Sequence, residues 1–484
     1  MLRALASLFV RLDRGSPTHL QQQICAGLRA AVATGVLAPG TRLPSTRSLA
    51  AELDVSRTTI VAALLQLVAE GYLVTRVRSG TFVADEPPDA APPAAAPRPA
   101  PPAALRLSRR GEELARTAGA LDSLRPRARA FALSRPALDA FPVREWSRLV
   151  ARRAARITAG QLDYGHESPE LRAAIAELVS SSRGMRVGAD QVMLFPGTQP
   201  ALEFAFAALL DPRDRALMED PGYGGARTAL ASAGAALRFA PVDAEGIVVA
   251  GAGRARLAYV TPSCQFPLGV TMSLARRHAL LAWADGADAC IVEDDYDCEF
   301  RHAGAPLPAL AGLDASGRTV YVNSFSRTLF PALRLGYLVA PGGVVDRLRA
   351  ARATREEHLP SLTQLALADF IADGHFARHV RRMKVLYRAR HQALVEAARA
   401  TGRLRPRPVD AGMAAVVDID VAAVAAAAAA ARRGVEAAPL HHCYAGGRAP
   451  AEALVLGFGA VPPERIRAAV DKLAAAIEEV SARP

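Results

Sequence analysis

Apolar residues recur at helical spacing over residues 18–34, at Ile24, Leu28, Ala31 and Val32, which predicts a helix with one buried face. The stretch from Gly35 to Gly40, with Pro39 inside it, ends that helix. Leu43-Pro44-Ser45 opens a second one, with Ser45 as N-cap and Leu49, Ala50 and Leu53 facing inward. After a turn at Asp54-Val55, Ser56 caps a third helix whose inner face is Ile60, Leu64 and Leu67 or Val68. Gly71 to Val74 and Thr81 to Val83 alternate like two strands joined through Arg78-Ser79-Gly80. Helix, turn, helix and hairpin together predict a winged helix-turn-helix.

The pattern then changes. From Asp85 to about Ala104 proline and alanine dominate, and so many prolines neither continue a helix nor pair as a central strand. An extended, semi-rigid linker is expected there. Beyond it, Gln191–Phe195, Arg215–Met218, Ala258–Thr261, Ala289–Val292 and Thr319–Val322 are short apolar runs separated by helical segments. That alternation predicts an α/β body with a mostly parallel sheet covered on both faces. Residues 363–400 read as long helices leading into a smaller C-terminal part, and Ala422 to Arg432 is an alanine-rich helix. The expected organisation is therefore a DNA-binding module at 1–84, a linker at 85–125 and a body at 126–484, with a small subdomain from about 385.

Charge sharpens the first assignment. The 484 residues carry a net charge of +12, which points to an acidic partner, nucleic acid first. Residues 1–84 hold nine arginines against four acids. Only Lys384 and Lys472 are lysines, so arginine supplies nearly all the positive charge. The five cysteines are scattered, with no paired spacing, which fits a reducing cytoplasm and no zinc site. The N-terminus lacks a signal-peptide pattern, and no apolar stretch is long enough for a membrane span.

The third helix begins Ser56-Arg57-Thr58-Thr59. Residues near the start of a recognition helix reach base edges and phosphates, and arginine and short hydroxyl side chains suit both. The segment from Arg42 to Ile60, with the wing from Arg78 to Val83, resembles the GntR family of bacterial regulators. The resemblance implies DNA contacts at Arg47, Arg57, Thr58, Thr59 and Gly80.

Four separated motifs give the body its own resemblance. Phe195-Pro196-Gly197-Thr198-Gln199 joins a strand to a helix, and a helix N-terminus offers free N–H groups to a phosphate. Glu219 to Tyr223, Val292 to Asp297 and Ser324 to Tyr337 follow further strands, and the ends of such strands form the ligand edge of an α/β sheet. The body is similar to aspartate-aminotransferase (fold type I) proteins, and the whole chain to the MocR subgroup of GntR regulators. That likeness implies pyridoxal 5'-phosphate as ligand. Its phosphate would lie on Gly197, Thr198, Gln199, Ser324 and Arg334, with Tyr223 on the ring face. Asp294 would sit at the pyridine nitrogen and Tyr296 at the ring hydroxyl. It also implies a homodimer, operator DNA and a small-molecule effector.

One position departs from the pattern. Where the resemblance implies the Schiff-base lysine, the chain has Arg327. A guanidinium stays charged and delocalised and is no nucleophile. The expected function is thus a transcription regulator without transaminase activity, holding the cofactor noncovalently at most, with Arg327 beside it. Pro200, Cys264 and Ala414 also replace usual family residues, and Leu456 to Gly459 lacks a carboxylate-gripping arginine. A working aminotransferase and a ligand-free dimerisation scaffold are the alternative readings.

Overall fold

The computed structural model describes residues 10, 12–76, 79–88, 106–108, 110–112, 115, 129–163, 166–302, 304, 307–353, 355 and 359–482. Arg78 and most of the expected linker lie outside these residues. The chain divides into two compact units, Met1–Arg106 and Leu107–Pro484.

The first unit contains α1 (Leu20–Ala33), α2 (Thr46–Glu52), α3 (Arg57–Ala69) and the antiparallel strands β1 (Leu73–Arg76) and β2 (Gly80–Val83). Both predicted caps form. Ser45 Oγ accepts from the Ser48 amide at 3.2 Å and Ser56 Oγ from the Thr59 amide at 3.1 Å. Ile24, Leu28, Leu49, Ile60, Leu64, Leu67, Leu73 and Val83 close one core. The first wing strand starts two residues later than its alternation suggested, because Gly71 has a φ of +82° and ends the turn after α3.

The second unit is a three-layer body. In chain order it contains α4 (Val143–Ala154), α5 (Pro169–Arg183), β3 (Val192–Phe195), α6 (Thr198–Leu209), β4 (Arg215–Asp220) and α7 (Gly224–Ser232). Next come β5 (Ala236–Asp243), β6 (Gly246–Ile247), β7 (Leu257–Val260), α8 (Leu274–Ala287), β8 (Cys290–Asp294), β9 (Thr319–Ser324) and β10 (Gly336–Val339). The eight strands run in the order β3-β10-β9-β8-β7-β4-β5-β6. Strands β9, β8, β7, β4 and β5 are parallel, β10 is antiparallel to both its neighbours, and β6 is antiparallel to β5. Strands β3, β7 and β10 are buried along their whole length, which accounts for their continuous apolar runs.

Helices α9 (Gly342–Ala353), α10 (Ser361–Ala372) and α11 (His375–Ala400) follow. The expected long helical stretch is broken by Gly374, whose φ is +71°. The C-terminal layer packs α11, α12 (Ala423–Arg432) and α13 (Pro463–Ser481) on an antiparallel sheet. That sheet is ordered β11 (Arg405–Pro406), β12 (Ala414–Asp418), β14 (Ala453–Gly457) and β13 (Ala438–Pro439). No helix among the described residues is long and apolar enough to cross a membrane.

Candidate functional site

The C-terminal ends of β3, β4, β8 and β9 converge on a cavity of about 370 Å³. All nine residues expected around a cofactor line it: Gly197, Thr198, Gln199, Tyr223, Asp294, Tyr296, Ser324, Arg327 and Arg334. Leu133, Ser134, Tyr259, Phe266, Ser326 and Pro331 complete its walls.

One end is built for an anion. Gly197 is the N-cap of α6, with a φ of +112°. A Cβ added there would lie 3.7 Å from the Arg334 guanidinium, so the absence of a side chain opens the space between helix terminus and cation. Gly336 is also required, since its Cβ would meet the Gly197 carbonyl carbon at 2.8 Å. Free N–H groups, a guanidinium and the Ser324 and Ser326 side chains therefore face one volume.

The other end is built around Asp294. Tyr259 OH donates to its Oδ2 at 2.8 Å, while Oδ1 is buried with no partner. Burial pushes the Asp294 carboxyl up to about 7, against the hydrogen bond from Tyr259. A buried acceptor without a donor is costly, and this one belongs to a residue of the cavity wall. The Tyr223 ring meets Phe266 edge to face at 5.9 Å, and Phe266 meets Tyr296 at 6.3 Å. Burial raises the Tyr223 hydroxyl to about 12, keeping it neutral.

The acidic run after β8 separates into distinct jobs. Glu293 accepts the amides of Leu310 and Ala311, each at 2.9 Å. Asp295 accepts from Arg183 Nε at 2.7 Å and from Tyr321 OH at 2.8 Å. Asp297 accepts from Arg327 through both oxygens, Nε to Oδ1 at 2.6 Å and Nη2 to Oδ2 at 2.5 Å. Asp294 alone of the four keeps an unpartnered oxygen. No metal-binding cluster of three or more ligands occurs among the described residues.

Arg327 is thus engaged by a forked ion pair, with its guanidinium also 5.2 Å from the Tyr296 ring centre. Burial lowers its pKa, but the charge and hydrogen bonds of Asp297 outweigh burial and hold it above its ordinary value. Asp297 Oδ2 accepts in addition from the Met413 amide at 3.2 Å. Cys264 lies against the same corner, donating to the Ala411 carbonyl at 3.4 Å, and burial pushes its thiol up to about 12.

Sequence reasoning missed Tyr259 and Asp297. Tyr259 reads as a core residue of an apolar strand, and Asp297 as one more acid in a run of four. Their partners stand 35 and 30 positions away.

In the first unit, Arg47, Arg57, Thr58 and Gly80 are exposed and Thr59 half-buried. The hydroxyls of Thr58 and Thr59 each lie 2.7 Å from Ser56 Oγ, so the helix cap also orients them. Gly80 has a φ of +114°, and a Cβ there would stand 3.2 Å from Arg42 Nε. Arg42, which sequence reasoning did not single out, is therefore a further cation of the wing.

A winged helix-turn-helix joined to an aminotransferase-type body with a ligand cavity defines the class of this protein. Residues 20–83 match the gntR family of bacterial regulatory proteins, and residues 136–473 match aminotransferase class I and II. The chain is 40% identical over 476 residues to the probable rhizopine catabolism regulatory protein MocR of Rhizobium meliloti, covering 96% of this chain and 95% of that one. It is 32% identical to the pyridoxine biosynthesis regulator PdxR of Corynebacterium glutamicum, over 96% and 97% of the two chains. Among solved structures, the α-aminoadipate aminotransferase LysN of Thermus thermophilus superposes with a TM-score of 0.69 at 26% identity, covering 76% of this chain and 97% of its own. The chain belongs to the MocR-type subgroup of the GntR family.

Proposed function

We propose that this protein is a DNA-binding transcription regulator that acts as a homodimer and responds to a small molecule in its body. Residues 1–84 read double-stranded operator DNA through Arg47, Arg57, Thr58, Thr59 and Gly80. Residues 85–125 link them to the sensing and dimerising body at 126–484. A vitamin B6 phosphate, pyridoxal or pyridoxamine 5'-phosphate, fits the cavity as a noncovalent ligand.

The observation that carries this reading is a nearly complete ligand cavity with no lysine among its described lining residues. The unpartnered Asp294 Oδ1 matches a protonated ring nitrogen. Tyr223 offers a ring face and Tyr296 a hydroxyl. The α6 terminus, Ser324 and Arg334 suit a phosphate. The related aminotransferase LysN was solved with a phosphopyridoxyl-leucine conjugate, which supports the same ligand class here. When bound to an enzyme, pyridoxal phosphate would supply an aldehyde for a lysine amine and an electron sink for the substrate. Arg327 supplies no such amine, and its Nε and Nη2 already donate to Asp297. Transamination is therefore absent from the proposed activity.

Borohydride treatment of the protein with pyridoxal phosphate should fix no adduct at position 327, read by peptide mass. Arg327→Lys should restore a fixable adduct. A trapped adduct in the unaltered chain would overturn the reading of the site. Binding of the upstream intergenic DNA should weaken steeply with salt, and salt-insensitive binding would sink the regulator reading.

A further inference from the structure

The positive charge is not confined to the reading module. Residues 1–106 hold eleven arginines and seven acids, so +8 of the net +12 belongs to the body. Much of that excess is concentrated on α11. Between His375 and Gln392 this helix has six basic residues and no carboxylate. Five of them, Arg378, Arg381, Arg382, Lys384 and Arg388, are exposed. At 3.6 residues per turn they fall on one arc of roughly 160°. Phe376, Val380, Met383, Tyr387 and Leu394 are buried on the opposite side.

Clustering and continuity mark this face. Some exposed arginines elsewhere in the body sit in ion pairs, such as Arg405 with Asp420 and Arg432 with Glu479, and others, such as Arg213 and Arg347, are exposed singly and not as a row on one helix. None of the five on α11 has a carboxylate within ion-pair distance among the described residues, whereas the buried Arg390 of the same helix pairs with Asp139. The face also continues onto a second element. Arg382 donates to the Ala140 carbonyl, and His379 packs on Phe141 at 5.8 Å, just before α4 begins. On α4, Arg144 and Arg148 are exposed one turn apart and likewise unpaired among the described residues.

We propose that this face of the body is a second DNA contact, binding the phosphodiester backbone of double-stranded DNA without regard to sequence. From Arg378 to Arg388 the helix covers about 15 Å, beside a polymer carrying about one charge per 1.7 Å of axis. Guanidinium groups on a rigid helix suit phosphate oxygens and carry no base information. A membrane surface fits less well, because an interfacial helix must turn its apolar side outward. Here that side is buried, and Val385 is the one large apolar residue exposed on α11.

The proposal rests on the DNA-binding reading, and the test keeps the two apart. Full-length protein with Arg47→Ala and Arg57→Ala, which cripples the reading helix, is titrated against a long random-sequence duplex at several salt concentrations. It should still bind. Adding Arg381→Gln, Lys384→Gln and Arg388→Gln should lower the slope of log affinity against log salt by about 2–3 units, at about 0.9 for each phosphate no longer neutralised. The charge-preserving pair Arg381→Lys and Arg388→Lys should leave the slope unchanged and controls for damage to the helix. Equal slopes with and without the three glutamines would overturn the proposal. So would failure of the crippled chain to bind the long duplex, or a loss confined to anionic phosphatidylglycerol vesicles. Failure of the unaltered chain to bind any DNA would instead sink the regulator reading itself.

Discussion

Removing one partner of the Arg327–Asp297 pair should cost far more than removing both. The Asp297 side chain is fully buried and that of Arg327 is 17% exposed. Two charges some 4 Å apart attract by about 4 kcal/mol at an effective dielectric near 20, but each also lost hydration on folding. A buried pair is therefore worth little against an apolar replacement, while a stranded partner costs about 3–5 kcal/mol. Asp297→Asn strands a guanidinium that keeps some solvent, so about 2–3 kcal/mol is expected. Arg327→Met strands a fully buried carboxylate whose remaining donor is the Met413 amide, so about 3–5 kcal/mol is expected. The double variant should return to within about 1–2 kcal/mol of the parent, a coupling of about 3–7 kcal/mol. Urea unfolding followed by tryptophan fluorescence measures this in the full chain, because Trp146 and Trp283 are its only tryptophans and both lie in the body. Additive losses in the double variant, or single losses under about 1 kcal/mol, would refute the argument.

Burial holds Glu219, Asp294 and Glu299 at about 7, above the roughly 4 of an unfolded chain. The folded body thus keeps protons that the unfolded chain releases. Stability should fall from about pH 4 to about pH 7, by at most about 1.4 kcal/mol per pH unit per group, and level off above. The urea midpoint should be lower at the upper end of that range, and Asp294→Asn should flatten part of the slope; a rising midpoint would contradict the assignment. Gly412→Ala places a Cβ 2.6 Å from Cys264 Sγ at a φ of +94°. It should cost about 1–3 kcal/mol in thermal unfolding, with Cys264→Ala recovering the steric part and a neutral Gly412→Ala arguing against the close approach. Ser56→Ala removes the cap of α3 and the partner of both threonine hydroxyls. Losing about 1 kcal/mol should speed amide exchange in the first turn of α3 roughly fivefold, and unchanged exchange would exclude the cap as a stabilising element.

What the sequence made legible is what local physics controls. Ser45 and Ser56 precede their helices as caps, and each accepts the amide three residues on. The apolar runs at β3, β4, β7, β8 and β9 become strands because both faces of the sheet are covered. Strand β10 was hidden, since Gly336–Val339 reads as the tail of the Ser324 loop. It becomes a strand by pairing with β3, more than 140 positions earlier, and with β9. The choice among Glu293, Asp294, Asp295 and Asp297 was hidden for the same reason. Arg183, 112 positions before Asp295, removes one candidate, and Arg327 removes another. Likewise, the charges of α11 are plain in the sequence, but their common arc and lack of partners depend on which side of the helix the core covers.

Arg327 does more than fill a place where the resemblance implies lysine. A lysine would bring a point charge on a flexible stem, whereas the planar fork of arginine matches a carboxylate with two parallel bonds. Those bonds tie the segment after β9 to Asp297 beyond β8, and Asp297 passes the tie on to the Met413 amide just before β12. The wall of the ligand cavity and the C-terminal sheet thus share one buried charge pair. A catalytic lysine has to be free to change partners during turnover. The guanidinium at 327 is held in place, and the part it plays is that of a strut between the two sheets of the body.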